Sequence, residues 1–358
     1  MDWLEALTLA VIQGLTEFLP VSSSGHLSVA DAAFEAIRGA PTEGGLFFAV
    51  MLHVGTLGAI VAYYRKPALR GAVDLVGGGI RRETSNPAQA LVIRSVLLAC
   101  VATLPAVVVG LGLEDQVEAA FESRLAPAFG FLVTATLLLA VGRLPEGEKG
   151  PSQTSWRDAL LVGMAQAIAI TPGISRSGST IAAALALGFS RTWAVGFSLL
   201  MAVPAILGAA LLEAKDIDPG SLSPETVRMT ASATALAGVI GYGAIAWLVR
   251  IVRAGRLWYF SVYLLVMSGV VLGSVALSEG PSSSGERRGE RSSSVERTDG
   301  QGRRSEALDR PGGVILGGSG AGAVGGVDLG HADPAGQGSS GPSAVAGVGD
   351  DRPVPVGE

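Results

Sequence analysis

Gln13-Gly14-Leu15-Thr16-Glu17-Phe18-Leu19-Pro20-Val21-Ser22-Ser23-Ser24-Gly25-His26 lies in the middle of an apolar stretch running from about residue 3 to 40. Proline, glycine and three serines interrupt any helix there, with a carboxylate on one side of the break and an imidazole on the other. A second apolar stretch, about 159 to 190, is interrupted in the same way at Thr171-Pro172-Gly173-Ile174-Ser175-Arg176-Ser177-Gly178-Ser179-Thr180. Whether these two segments cross a membrane or turn back inside it decides the fold.

The surroundings are those of a membrane protein. Of the 358 residues 49% are apolar and 16% charged, and the mean hydropathy is +0.46, more apolar than one soluble core accounts for. The net charge of -5 divides into about -1 for the first 278 residues and about -4 beyond them, which excludes a nucleic-acid binder. The first apolar stretch opens with Asp2 and Glu5 rather than a basic region, so no cleavable leader is expected. Cys100 stands alone in an apolar run and is read as a small packing residue. From Glu279 onward the chain turns to Ser, Gly, Arg and Pro, and residues 279 to 358 are read as a disordered low-complexity tail in which His331 is a solvated side chain.

A helix needs about 20 residues to cross about 30 Å of hydrocarbon. Six segments qualify, at about 46–64, 91–111, 125–142, 194–212, 229–249 and 257–277. Arg65, Lys66, Arg70, Arg81, Arg82 and Arg94 put the first connection in the cytoplasm by the positive-inside rule. The connections then alternate. Glu114, Asp115, Glu118 and Glu122 fall outside; Arg143, Lys149 and Arg157 inside; Glu213, Asp216, Asp218 and Glu225 outside; Arg250, Arg253 and Arg256 inside. A full crossing by either broken stretch would upset that alternation. Each must enter and leave by one face, the first from outside and the second from the cytoplasm, with its broken centre sheltered by protein or a watery cavity.

The two breaks also align. Gln13 to Glu17 with Ser22-Ser23-Ser24-Gly25 lie 153 positions before Gln166 to Ile170 with Ser175-Arg176-Ser177-Gly178, and Phe47 and Gly58 lie 150 before Phe197 and Gly208. The expectation is an all-α integral membrane protein with six transmembrane helices and two re-entrant hairpins in an inverted-topology repeat. Repeat one covers about 1–145 and repeat two about 155–278 of a membrane domain spanning 1–278. Such an arrangement places a site near the midplane between two broken segments.

The residues there suit phosphate chemistry. Gln13 and Glu17, four apart, share a helix face, and a carboxylate in an apolar segment costs about 2.5 to 3.5 kcal/mol to insert, so it faces a cavity or a partner. Ser22, Ser23, Ser24 and Gly25 precede a helix start whose free N–H groups favour an anion. His26 can exchange a proton and a neighbouring serine can act as nucleophile. Ser175, Ser177, Gly178 and Thr180 form a second such start, and Arg176 adds a planar, permanently charged fork matched to phosphate oxygens. Glu17 and His26 correspond to Ile170 and Ser179 in the second repeat, and Arg176 to Ser23 in the first. One half supplies acid and base, the other positive charge. His53, on an apolar helix, is read as a packing or hydrogen-bonding residue.

Q-G-L-T-E-F-L-P-V-S-S-S-G-H and P-G-I-S-R-S-G-S-T closely resemble the paired signatures of bacterial undecaprenyl-diphosphatases, the bacitracin resistance family, over about residues 1 to 277. The resemblance implies a hydrolase of the bacterial cell membrane that converts undecaprenyl diphosphate to undecaprenyl phosphate and inorganic phosphate, with its site facing the extracytoplasmic side. It recycles the lipid carrier for peptidoglycan synthesis, and so for cell-wall biogenesis and cell shape, and confers antibiotic resistance. It implies Glu17, His26 and Arg176 as the essential residues, Gln13, Ser22, Ser23, Ser175, Ser177 and Thr180 at the pocket, and a divalent cation, magnesium or calcium, for which Glu17 is the evident ligand. Ser23 attack assisted by His26, and water activated by His26 or Glu17, both remain open. The lipid substrate and the membrane are the expected partners, with a homodimer as the oligomer allowed for. The alternative function is a transporter or flippase of a phosphorylated polyprenyl lipid.

Overall fold

The computed structural model describes residues 1–39, 45–66, 87–218, 220 and 222–278. Among them are eleven α-helices and no strands. They are α1 (Trp3–Thr16), α2 (Ser23–Arg38), α3 (Gly45–Tyr63), α4 (Pro87–Gly112), α5 (Glu114–Glu122), α6 (Ala126–Val141), α7 (Trp156–Ile168), α8 (Arg176–Ala186), α9 (Arg191–Glu213), α10 (Pro224–Arg253) and α11 (Trp258–Ser278). Five of these, α3, α4, α9, α10 and α11, are long and apolar enough to cross a membrane; α5 with α6, bent by 103° at their junction, makes a sixth candidate. The chain is a multi-pass membrane protein. The expected tail with His331, and the basic residues Arg70, Arg81 and Arg82, lie outside the described residues.

Two sequence readings change. The acidic run at Glu114 to Glu122, read as a connection, is the nine-residue helix α5. Its four carboxylates hide it from an apolar search, yet two of them, Glu114 and Asp115, sit in its first turn, where they favour the positive end of the helix dipole. Cys100 is exposed on α4 rather than packed inside. That helix is apolar all round, so its sequence does not reveal which face turns inward.

The packing is reciprocal. Helix α1 lies against α10 and α7 against α4; α3 lies against α10 and α9 against α4; α6 pairs with α11. The breaks between α1 and α2 and between α7 and α8 are enclosed by these helices. Phe18, Leu19 and Val21 belong to one buried cluster with Phe131, Ile181, Leu199, Ile245 and Phe260. Non-helical backbone at membrane depth is stable only when so enclosed.

Each hairpin is tied at its open end. Asp2 caps α1 through Glu5 N, and Glu5 bonds back to Asp2 N. Ser155 and Asp158 do the same for α7. Both inner acids also hold a cation, Glu5 the Arg38 guanidinium at 2.9 Å and Asp158 the Lys149 ammonium at 3.1 Å.

Candidate active site

The two breaks meet through close backbone contact. A Cβ on Gly25 would stand 2.6 Å from the Phe131 ring and 2.9 Å from Gly173 Cα, and one on Gly173 would stand 2.3 Å from the Pro127 carbonyl oxygen. Gly173 also has a φ of +84°, a conformation that side chains resist. Ser177 Oγ, from hairpin two, donates to the Leu19 carbonyl of hairpin one at 2.9 Å. Thr134 of α6 receives the Ser175 N–H at 2.9 Å.

This contact brings Glu17 and Arg176 together. Glu17 ends α1 and Arg176 opens α8, and Arg176 Nη2 donates to Glu17 Oε1 in a part-buried ion pair. Glu17 Oε2 accepts from Gln13 Nε2 at 3.0 Å and from Ser23 Oγ at 2.7 Å. The helical spacing of Gln13 and Glu17 therefore acts as expected. The Ser23 contact reaches across the break and could not be read from periodicity. Arg176 Nη1, Gln13 Oε1 and Ser179 Oγ are buried without a hydrogen-bond partner among the described residues. Buried polar atoms are seldom left unpaired, and two of these three belong to side chains that share Glu17, so a polar ligand can be received beside that carboxylate.

His26 sits on α2 one turn beyond Ser22. Its Nδ1 lies 2.7 Å from the Ser22 carbonyl, and its Nε2 lies 2.7 Å from the Tyr263 hydroxyl of α11. Ser23 Oγ donates to Glu17, so its ready proton acceptor is the carboxylate. Ser22 carries a φ of +71°, the one non-glycine residue in that region among those described. Strain of this kind costs about 1–3 kcal/mol and collects at functional sites.

The remaining expected residues are engaged in building the frame. Ser22 caps Gly25 N–H and pairs with Ser24, and Ser175 caps Gly178 N–H and pairs with Ser177. Thr180 Oγ1 turns to the Arg176 carbonyl and to Ser198 of α9. His53 bonds to the Ala49 carbonyl of its own helix. Tyr263 and Thr134 were not singled out by the sequence. A phenol early in an apolar helix was the available signal for Tyr263, whereas Thr134 had none. Among the described residues no group of three His, Cys, Asp or Glu side chains is assembled for a metal.

Residues 6–271 match the family model described as bacitracin resistance protein BacA. The chain belongs to the bacitracin resistance protein BacA family. It is 41% identical over 278 residues to the undecaprenyl-diphosphatase of Desulfosudis oleivorans, an alignment covering 76% of this chain and 98% of that one. It is 38% identical over 280 residues to the undecaprenyl-diphosphatase of Alkaliphilus metalliredigens and 39% identical over 275 residues to that of Alcanivorax borkumensis. In both cases 76% of this chain and 98% of the relative are covered.

Proposed function

We propose that the chain hydrolyses undecaprenyl diphosphate to undecaprenyl phosphate and inorganic phosphate in the bacterial plasma membrane. The relatives bear that activity in their names. The observation within this chain that carries it is the Glu17–Arg176 pair, joined between two broken segments, with Ser23 already donating to Glu17 and Arg176 Nη1 left to spare. The transporter alternative draws on architecture alone, and no observation favours it.

The geometry supports a sequence of events. The diphosphate draws the Arg176 fork onto its oxygens, which loosens the ion pair and leaves the Glu17 carboxylate free to accept a proton. Ser23 Oγ attacks the terminal phosphorus while its proton passes to Glu17 Oε2, and the bond from that phosphorus to the bridging oxygen breaks, releasing the lipid monophosphate. Water, giving its proton to His26, then attacks the phosphoserine; the bond from phosphorus to Ser23 Oγ breaks as Ser23 recovers its proton from Glu17, and His26 passes its proton to the departing phosphate. Arg176 stabilises the charge on the transferred group in both steps.

A divalent cation has one protein carboxylate here, Glu17. That fits a magnesium or calcium ion that arrives on the diphosphate and takes most of its ligands from phosphate and water. Bound, it would neutralise charge on the diphosphate.

The finer architecture is part of the same reading: six crossings and two re-entrant hairpins related by an inverted repeat, opening to the extracytoplasmic side. The reciprocal packing of α1 on α10 and α7 on α4 supports it. Cysteines introduced near Arg81 should label from the cytoplasm and those near Lys215 from outside; the reverse pattern would sink the orientation. The tail is dispensable in this reading, since 76% of this chain covers 98% of the relatives cited. A chain stopped at Ser278 should still hydrolyse. The deciding experiment is phosphate release from undecaprenyl diphosphate by the purified protein in detergent, where transport cannot be measured. A well-folded preparation that releases none, with magnesium or calcium supplied, would refute the hydrolase reading.

A further inference from the structure

We propose that Tyr263 is a positioning residue for His26: its hydroxyl holds the imidazole in the Nδ1–H tautomer and orientation that make Nε2 the acceptor, and yields Nε2 to the attacking water during turnover. The inference rests on the hydrolase reading for its kinetic consequence but on geometry for its origin.

A carbonyl oxygen only accepts, so His26 Nδ1, at 2.7 Å from the Ser22 carbonyl, must carry a hydrogen. In the neutral ring Nε2 is then the acceptor. The group facing Nε2 is the Tyr263 hydroxyl at 2.7 Å, which can donate to it. The ring is therefore fixed from both ends, by α2 on one side and α11 on the other. One fixing atom belongs to Ser22, whose unusual φ of +71° aims that carbonyl. The two rings lie within 7° of parallel with centroids 5.6 Å apart, and the Phe131 ring supports the imidazole at 5.0 Å. Rotation about the His26 side chain would break both polar contacts at once.

The arrangement also joins the halves of the molecule. His26 is separated from Tyr263 by 237 positions, so the proton-accepting group of hairpin one is oriented by the last of the described helices. The contacts of Tyr263 with the site are those with His26. Its influence on the reaction runs through His26.

The test is Tyr263→Phe, which keeps the ring and removes the hydroxyl. The chain has three histidines, so imidazole ¹⁵N labelling gives a spectrum simple enough to follow His26, assigned with His26→Gln. In the purified detergent-solubilised protein the variant should lose about tenfold in kcat with KM within about twofold, since the ring acts after binding. The Nε2 resonance of His26 should move as its hydrogen bond is lost. Tyr259→Phe, one turn earlier on α11, should change neither. A kcat within twofold of the parent overturns the proposal, whether or not the resonance moves. An equal loss in Tyr259→Phe overturns it too, by assigning the effect to the helix. A folded parent that releases no phosphate refutes the hydrolase reading instead, and an unmoved Nε2 resonance then overturns the orientation of His26 by Tyr263 separately.

Discussion

Hairpins one and two share a frame down to single hydrogen bonds and differ in the groups it carries. Asp2 and Glu5 box the start of α1; Ser155 and Asp158, 153 positions later, box the start of α7. Ser22 caps Gly25 N–H at 3.3 Å and Ser175 caps Gly178 N–H at 3.0 Å, and each capping serine lies 3.2 Å from the hydroxyl two residues on. Gln13 and Gln166 are both buried. Gln13 reaches Glu17, but Gln166 faces a sequence with Ile170 at the matching place, and neither of its amide atoms has a partner among the described residues. The polar frame suits either hairpin. The proposed chemical groups stand where the two broken segments differ, at Glu17 against Ile170, Ser23 against Arg176, and His26 against Ser179.

If divergence at these three places makes the site, undoing it should have the largest effect. Arg176→Ala should lower turnover by about 10³ or more, as with arginines that stabilise transferring phosphoryl groups. Arg176→Lys should recover little, because a point charge replaces a planar fork. Glu17→Gln should lose a similar amount while the protein remains folded in detergent. Phosphate release under saturating substrate measures both. An Arg176→Ala protein within about tenfold of the parent, a difference of about 1.4 kcal/mol, would show that the ion pair serves structure instead.

The hairpins also take a positive φ by different means, hairpin one at Ser22 and hairpin two at Gly173. Gly173→Ala should lower stability, followed as the melting temperature in detergent, by on the order of 1–3 kcal/mol from backbone conformation alone, with a further cost from the approach to the Pro127 carbonyl. Ser22→Gly relieves the backbone but loses the cap to Gly25 N–H, so its stability should change by less than that of Gly173→Ala. Activity should still fall, since the His26 carbonyl contact depends on how Ser22 is held. Equal stability losses in the two variants would show that the breaks are not distinguished by strain.

How far the sequence was legible follows from what periodicity and charge can carry. The expected crossings at 46–64 and 257–277 lie within a residue of α3 and α11, because apolar length sets them. Gln13 and Glu17 were legible as a pair because four positions separate them on one helix. The bond from Ser23 to Glu17 was not, since the break between them carries no period, and chemistry alone paired Ser23 with His26 equally well. Tyr263 was invisible for a related reason. Its helix is apolar on every side, and only tertiary packing selects which face meets α2. Cys100 was misread on the same account. The acidic helix α5 escaped because a search for apolar length passes over a short polar helix.

The smallest expected difference is at the open ends, where the two capping boxes can be compared directly. Asp2→Ala and Ser155→Ala should each cost about 1 kcal/mol at neutral pH, the usual effect of losing an N-cap side chain. Acid then tests the second box. Burial pushes the Asp158 carboxyl up, but hydrogen bonds from Ser155 N–H and Oγ, with the Lys149 ammonium, outweigh it and hold the group below the ordinary carboxylate value. A carboxyl lowered by folding adds stability above its unfolded pKa, about 3.9, and loses that contribution as pH falls through the lower folded value. The Ser155→Ala deficit should therefore shrink as melts in detergent are taken from pH 7 to below about 4, because one of the bonds it removes, from Ser155 Oγ to the Asp158 carboxylate, is one that acid also weakens. A Ser155→Ala deficit that stays constant over that range would show that the Ser155 cap acts through the helix end alone, independent of the charge on Asp158.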